Sequence, residues 1–182
     1  MTWFTNWLQR FVQLGLDLVA QLVRGLLGAP ATAAARAVSD VTVRQGDARE
    51  VLDVRHEVLR KGRPRDTAVF SGDDDPSTRH WVAVQADRVV GVVSVMAADA
   101  PDWVEGAAPA WQLRGMAVLP GLRGEGVGKQ LLAGVHRDVD EPMWCNARAS
   151  AEGFYLSHGW TPHGELFDVP PIGPHRRMSW RP

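Results

Sequence analysis

The chain holds one cysteine, Cys145, and one tyrosine, Tyr155, among 182 residues. A single cysteine excludes an intrachain disulfide, so a reducing cytosol is the expected location and the protein is expected to be cytoplasmic. No base with an orienting partner accompanies Cys145 in the sequence. It therefore reads as a small buried hydrophobe beside Trp144 and not as a nucleophile. An excess of one charge is also missing: 20 basic and 21 acidic residues leave a formal net charge of -1. No global field recruits nucleic acid, and none is expected as a partner. No His/Asp/Glu set has metal-ligand spacing such as H-E-x-x-H, so no metal is expected. No apolar run approaches the roughly 18 residues that a membrane-spanning helix needs. Ala31–Ala35 resembles a small-residue cleavage site, but Gln13, Asp17, Gln21 and Arg24 interrupt the apolar stretch that a secretory signal requires. Export is not expected.

What is present falls into two parts, residues 1–38 and 39–182. From about Thr2 to Leu27, the polar residues Asn6, Arg10, Gln13, Asp17, Gln21 and Arg24 recur at spacings of four and three, which places them on one side of a helix. Trp3, Phe4, Trp7, Leu8, Phe11, Leu14, Leu18, Leu22 and Leu26 occupy the rest of its circumference. Gly28 and Pro30 end this amphipathic helix, and an Ala-rich connector follows. Its wide apolar face has three readings: packing on its own domain or in a homo-oligomer, peripheral membrane contact, and a partner protein's groove or an engineered fusion. From Asp40 the pattern alternates strand and helix. Strands are expected at Val41–Arg44, His80–Ala86, Val89–Met96, Trp111–Val118, Met143–Cys145 and His175–Trp180. Helices are expected after Asp47 to Leu59, over Gly126–Val139 and over Ala149–His158. Asp87-Arg88 reads as a tight hairpin connection, and Lys61–Thr78, Ala97–Ala110 and Thr161–Pro174 as loops. This order predicts an α/β fold of the α+β kind, a mixed sheet with helices on both faces.

The chemistry concentrates in Arg123-Gly124-Glu125-Gly126-Val127-Gly128, between a strand and a helix. Glycines let the backbone turn tightly and approach a ligand closely. The helix that follows aims unpaired N–H groups and a positive dipole end at the turn, as a pyrophosphate site requires. The spacing is neither G-x-G-x-x-G nor GxxxxGK[ST], because Gln130 follows Lys129.

The stretch Leu113–Val118, Pro120, Arg123–Gly128 and Leu131-Leu132 resembles the signature motif of the GNAT acetyltransferases. Asn146-Ala147-Arg148 through Phe154-Tyr155 to Gly159-Trp160 is similar to the family's acceptor-side block. Arg55–Leu59, Trp81–Gly91 and Gly173-Pro174-His175 with Met178 look like one bacterial subgroup. The resemblance covers Asp40–Pro182 and implies a GNAT-like acyl-CoA N-acyltransferase fold with an added N-terminal helix. It implies acetyl-CoA as acyl donor and a small-molecule or peptide amine as acceptor. Met116, Ala117 and Val118 would offer backbone groups to the pantetheine arm, and an N–H near Val118 would polarise the thioester carbonyl, a role worth roughly 3 kcal/mol. Arg123, Gly124, Gly126, Val127 and Gly128 would hold the pyrophosphate, with Glu125 and Lys129 flanking, and Asn146 would contact the cofactor. Tyr155 would protonate the departing thiolate. Its chemistry suits the role, since a phenol with a pKa near 10 can give a proton to a thiolate of similar basicity.

The base that takes the amine's proton is not fixed by motif. Glu57, Asp73–Asp75, Glu105 and the six histidines are candidates, although Asp73–Asp75 reads first as a solvated turn before Pro76, and His80 and His175 as strand residues with satisfied hydrogen bonds. Trp103, Trp111 and Trp144 read first as core and second as walls of an acceptor pocket. Two readings stand beside the enzyme: a CoA-binding sensor without turnover, and an interaction protein working through its leading helix.

Overall fold

A computed structural model describes residues 40–103 and 106–182. The helix expected over Thr2–Leu27, its connector and the boundary at residue 38 lie outside them.

The described chain builds a seven-stranded mixed sheet in the order β1-β2-β3-β4-β5-β7-β6. The strands are β1 Thr42–Gly46, β2 Arg79–Gln85, β3 Arg88–Ala97, β4 Trp111–Val118, β5 Met143–Arg148, β6 Thr161–Val169 and β7 Gly173–Trp180. Neighbours pair antiparallel except β4 and β5, which run parallel. The helices are α1 Leu52–Leu59, α2 Val127–Asp138 and α3 Glu152–Leu156. Fully buried Trp81, Val92, Val93, Val95, Leu131, Leu132, Met143 and Met178 form the middle of the core.

Successive strand residues face opposite sides, and this sorts the helices. Trp81 lies beneath α2, 3.7 Å from where a Cβ on Gly134 would stand. Its neighbour His80 points the other way, to Ser94 and the α1 side chain Arg55. Cys145 meets Tyr155 of α3, whereas its neighbours' face carries Arg148, whose guanidinium reaches Leu59 O at the end of α1. Hence α1 covers one face, and α2 with α3 covers the other.

Several expectations shift. The β2–β3 turn is Ala86-Asp87, one residue earlier than Asp87-Arg88, because both residues take positive φ (46° and 60°), as a two-residue hairpin loop matched to strand twist demands. Asp47 caps the turn before α1, accepting from Arg49 and Glu50 N–H at 2.8 and 3.0 Å, and the helix proper begins at Leu52. The helix expected over Ala149–His158 is a 3-10 turn, Ala149–Ala151, followed by the short α3, stopped by Gly159 at φ 80°. Thr161–Pro174, expected as a loop, is largely the edge strand β6. Its one-sided neighbour β7 lets polar residues alternate outward, so it lacks the apolar run of a central strand.

Candidate acyl-transfer site

β4 and β5 pair at Trp111↔Met143 and Gln112↔Trp144 and then part, although β4 continues to Val118 and β5 to Arg148. The cause lies on the other edge of β4. Ala117 pairs with Val92 and Arg114 with Ser94, so Gly115 and Met116 together stand opposite Val93. Such a bulge bends its strand and increases local twist. Gly115 has φ 60°, and a Cβ there would lie 2.7 Å from Arg55 Nε and 3.0 Å from the Phe70 ring. Conformation and space both require glycine.

The splayed edge of β4 carries Met116, Ala117 and Val118. At its end the chain turns through Pro120–Leu122 and the glycine-rich stretch into α2. Gly124 and Gly126 take positive φ (80° and 83°), and Gly126 is the N-cap of α2. The first helical hydrogen bond is Gln130 N–H to Gly126 O at 3.1 Å. The N–H groups of Val127, Gly128 and Lys129 therefore have no carbonyl within the helix and face outward with the positive dipole end. Arg123 is exposed and donates from Nε to Val118 O at 3.3 Å, placing its charge beside the end of β4. Glu125 and Lys129 flank the turn. A Cβ on Gly128 would touch Phe154 at 3.3 Å and Met116 at 3.6 Å, so this glycine also allows α2, α3 and β4 to close together.

Asn146 lies on β5 across the opening and is exposed. Tyr155 is buried at 6% exposure, its ring edge-on to Phe154 and Trp160. Its hydroxyl stands 3.6 Å from Met116 Sδ, between the parted strands and beside Cys145. Burial, reinforced by Cys145, raises the phenol well above its ordinary pKa, so it stays protonated at neutral pH. Burial likewise pushes the Cys145 thiol up, opposite to what a nucleophile needs.

These residues fit a CoA thioester on three observations: an unpaired strand edge for an amide-bearing arm, unpaired helix-start amides beside a cation for phosphates, and a protonated buried phenol between the strands. On the α1 face, Asp102, Trp103, His163, Phe167 and Arg177 line a cleft of about 410 Å³ that none of the cradle residues touches. Trp103 thus lines a cleft, its ring tilted against His163 with centroids 4.4 Å apart, while Trp144 is buried core.

The base candidates divide. Glu57 is exposed, 3.9 Å from Arg88, and Glu105 lies outside the described residues. His56, His158 and His175 are hydrogen-bonded to backbone carbonyls, His163 to Ser179, and His80 to Ser94 and Asp73 O. His136 stacks on Trp180 at 3.9 Å.

The expectation of a solvated Asp73–Asp75 turn needs correction. Asp75 is exposed and caps Ser77, but Asp73 is buried at 5% exposure. Its Oδ2 accepts from Arg55 Nη1 at 2.6 Å and Phe70 N–H at 2.8 Å, and its Oδ1 accepts from Arg114 Nη2 at 3.0 Å. Burial pushes its carboxyl up, and these donors more than offset that, holding it below the usual range. Arg55, fully buried, also donates from Nη2 to Ser94 Oγ at 2.7 Å. The sequence did carry a signal for this, because Arg55 occupies the apolar phase of α1 with Val51, Val54 and Val58. A charge at such a position must have a buried partner.

Comparison with known proteins accords with this geometry. The acetyltransferase (GNAT) domain profile matches residues 76–162. The chain is 30% identical over 130 residues to the uncharacterized N-acetyltransferase YitI of Bacillus subtilis, covering 69% of this chain and 86% of that protein. It is 29% identical over 118 residues to protein ElaA of Escherichia coli, covering 60% and 73%. In fold it resembles a histone acetyltransferase HPA2-related acetyltransferase from Corynebacterium glutamicum, with TM-score 0.62, 21% identity and coverage of 79% and 97%.

Proposed function

We propose, on the premise that this chain belongs to the GNAT acetyltransferase family, that it moves an acetyl group from acetyl-CoA to a primary amine by direct attack, with Tyr155 as general acid. Residues 39–182 form the transferase domain, and residues 1–38 are an appendage to it.

Acetyl-CoA supplies the activated thioester, and every other part of the chemistry falls to the chain. The amides of Gly124, Gly126, Val127 and Gly128, with Arg123, grip the pyrophosphate; Glu125 and Lys129 flank it. The free edge of Met116, Ala117 and Val118 takes the pantetheine arm as an added strand, and Asn146 faces it from β5. The amine approaches from the α1 face, where Asn146 and the cleft beside Trp103 and Arg177 lie. Tyr155 holds its proton on the opposite face and delivers it to the departing sulfur. Its raised pKa keeps that proton in place between turnovers.

The observation that carries this reading is the Tyr155 hydroxyl, buried between β4 and β5 where their pairing ends, with a sulfur as its neighbour. Tyr155→Phe is expected to lower kcat by about 10- to 1000-fold while CoA affinity changes little. Steady-state kinetics across an amine panel, with thiol release as readout and calorimetric CoA binding beside it, tests this. Undiminished turnover would remove Tyr155 from the mechanism. CoA binding by the wild type without turnover on any amine would favour a sensor instead.

A further inference from the structure

We infer that the buried Arg55–Asp73 pair is a positioning device for the opening between β4 and β5: it holds the β4 bulge at Gly115-Met116 and thereby the edge that β4 presents after leaving β5. The inference rests on the reading of that edge as the acyl-CoA site.

A closed circuit surrounds the bulge. Ser94 and Arg114 are register partners on β3 and β4 immediately before it. Ser94 accepts from Arg55 Nη2 at 2.7 Å, Arg55 Nη1 donates to Asp73 at 2.6 Å, and Arg114 donates to the other oxygen of the same carboxylate at 3.0 Å. Both strands are therefore tied to one carboxylate from α1 and the loop before β2. His80 closes the far side, with Nδ1 2.6 Å from Ser94 Oγ and Nε2 3.0 Å from Asp73 O. The Arg55 guanidinium lies 4.3 Å from the Phe70 centroid, and the two side chains together abut the bare Cα of Gly115, where a Cβ would meet them at 2.7 and 3.0 Å. The bulge rests on that pair.

Stability alone does not account for the arrangement. A buried ion pair is often no more stabilising than apolar side chains of equal volume. It does supply fixed directions, and a strand edge that must meet a row of amides needs its register held more closely than a core needs its volume filled. Arg55 and Asp73 touch no part of the reacting groups, so they act through β4.

The test compares wild type, Asp73→Asn and Ser94→Ala with a control, Val135→Ala, which lowers Tm from the α2 side of the sheet. Two readouts are used: calorimetric binding of CoA and of 3′-phospho-ADP, which carries the phosphates without the pantetheine arm, and hydrogen exchange of individual amides. In Asp73→Asn, CoA affinity should fall about tenfold or more, as the loss of one or two hydrogen bonds to the pantetheine arm would cost. Binding of 3′-phospho-ADP should stay within about twofold, because the helix-start amides are untouched. Exchange should quicken at Met116–Val118 more than in β2 or β7, whereas Val135→Ala should quicken it broadly. Should Asp73→Asn fail to fold, Ser94→Ala, which removes one link of the circuit, carries the same comparison. Wild-type CoA affinity in the folded variant, or exchange that quickens everywhere as in the control, overturns the positioning role. Wild-type protein that binds neither CoA nor 3′-phospho-ADP overturns the site reading itself.

Discussion

The two faces of the sheet hold β4 by different means. On the α1 face, directional bonds do the holding: three charged side chains, a serine and an imidazole converge beneath Gly115. On the α2 and α3 face, contact does it. Phe154 lies against Gly128, and Tyr155 meets Met116 through a long 3.6 Å contact to sulfur. Thioether side chains repack easily, while a carboxylate with three donors does not. One face sets the register of the β4 edge, and the other leaves room for a ligand to displace side chains. An edge that must be both exact in place and open to an arm gains from that division.

The comparison breaks most visibly at Asp73. Asp73→Ala leaves the buried Arg55 and the partly buried Arg114 without their counter-charge and should cost about 3–5 kcal/mol, read from denaturant unfolding. A loss comparable to that of an exposed pair would mean the α1 face is not held by charge. A smaller contrast separates two glycines touching opposite faces of β4. Gly115→Ala requires φ 60° and a Cβ 2.7 Å from Arg55, and should destabilise by about 1–3 kcal/mol. Gly128→Ala meets the rim of the Phe154 ring at 3.3 Å and, in ordinary contact at 3.6 Å, the flexible end of Met116. The gain in helix propensity, near 1 kcal/mol, should largely offset that contact and leave the melting temperature little changed.

Acid should sharpen the difference with the mildest effect. Burial between Trp160 and Trp180, with a smaller contribution from His158, lowers His136 to about 4. Its unfolded value is higher, so below about pH 6.5 the unfolded chain takes up a proton that the native state resists. Stability from this group is present above that pH and is lost as pH falls toward 4. Asp73, held below its ordinary range, stays ionised through that window, so its pairing with Arg55 and Arg114 should persist. Melting temperatures from pH 7 to pH 4 should decline by several degrees more in wild type than in His136→Phe. Parallel curves would exclude His136 as the source.

Much of this was legible before any coordinates. The strand at Trp111–Val118 and the helix after Gly126 follow from local pattern, because glycine turns and helix starts are written in consecutive residues; Tyr155 was tied to them only by the family resemblance. The strand β6 was not legible, since an edge strand with exposed residues has no apolar alternation strong enough to distinguish it from a loop. The role of Asp73 was hidden for another reason. Three successive aspartates before a proline look like a solvated turn, and only a partner distant in sequence makes one of them buried.

The amino-acid order by itself determined the local pieces: where the chain turns, where a helix exposes its amides, and that Tyr155 is the one phenol the chain carries. The tertiary structure alone decided that Arg55, Asp73, Ser94 and Arg114, spread over four segments, meet beneath one glycine. Pairing at that sequence distance depends on how the sheet and helices pack, and no local propensity encodes it.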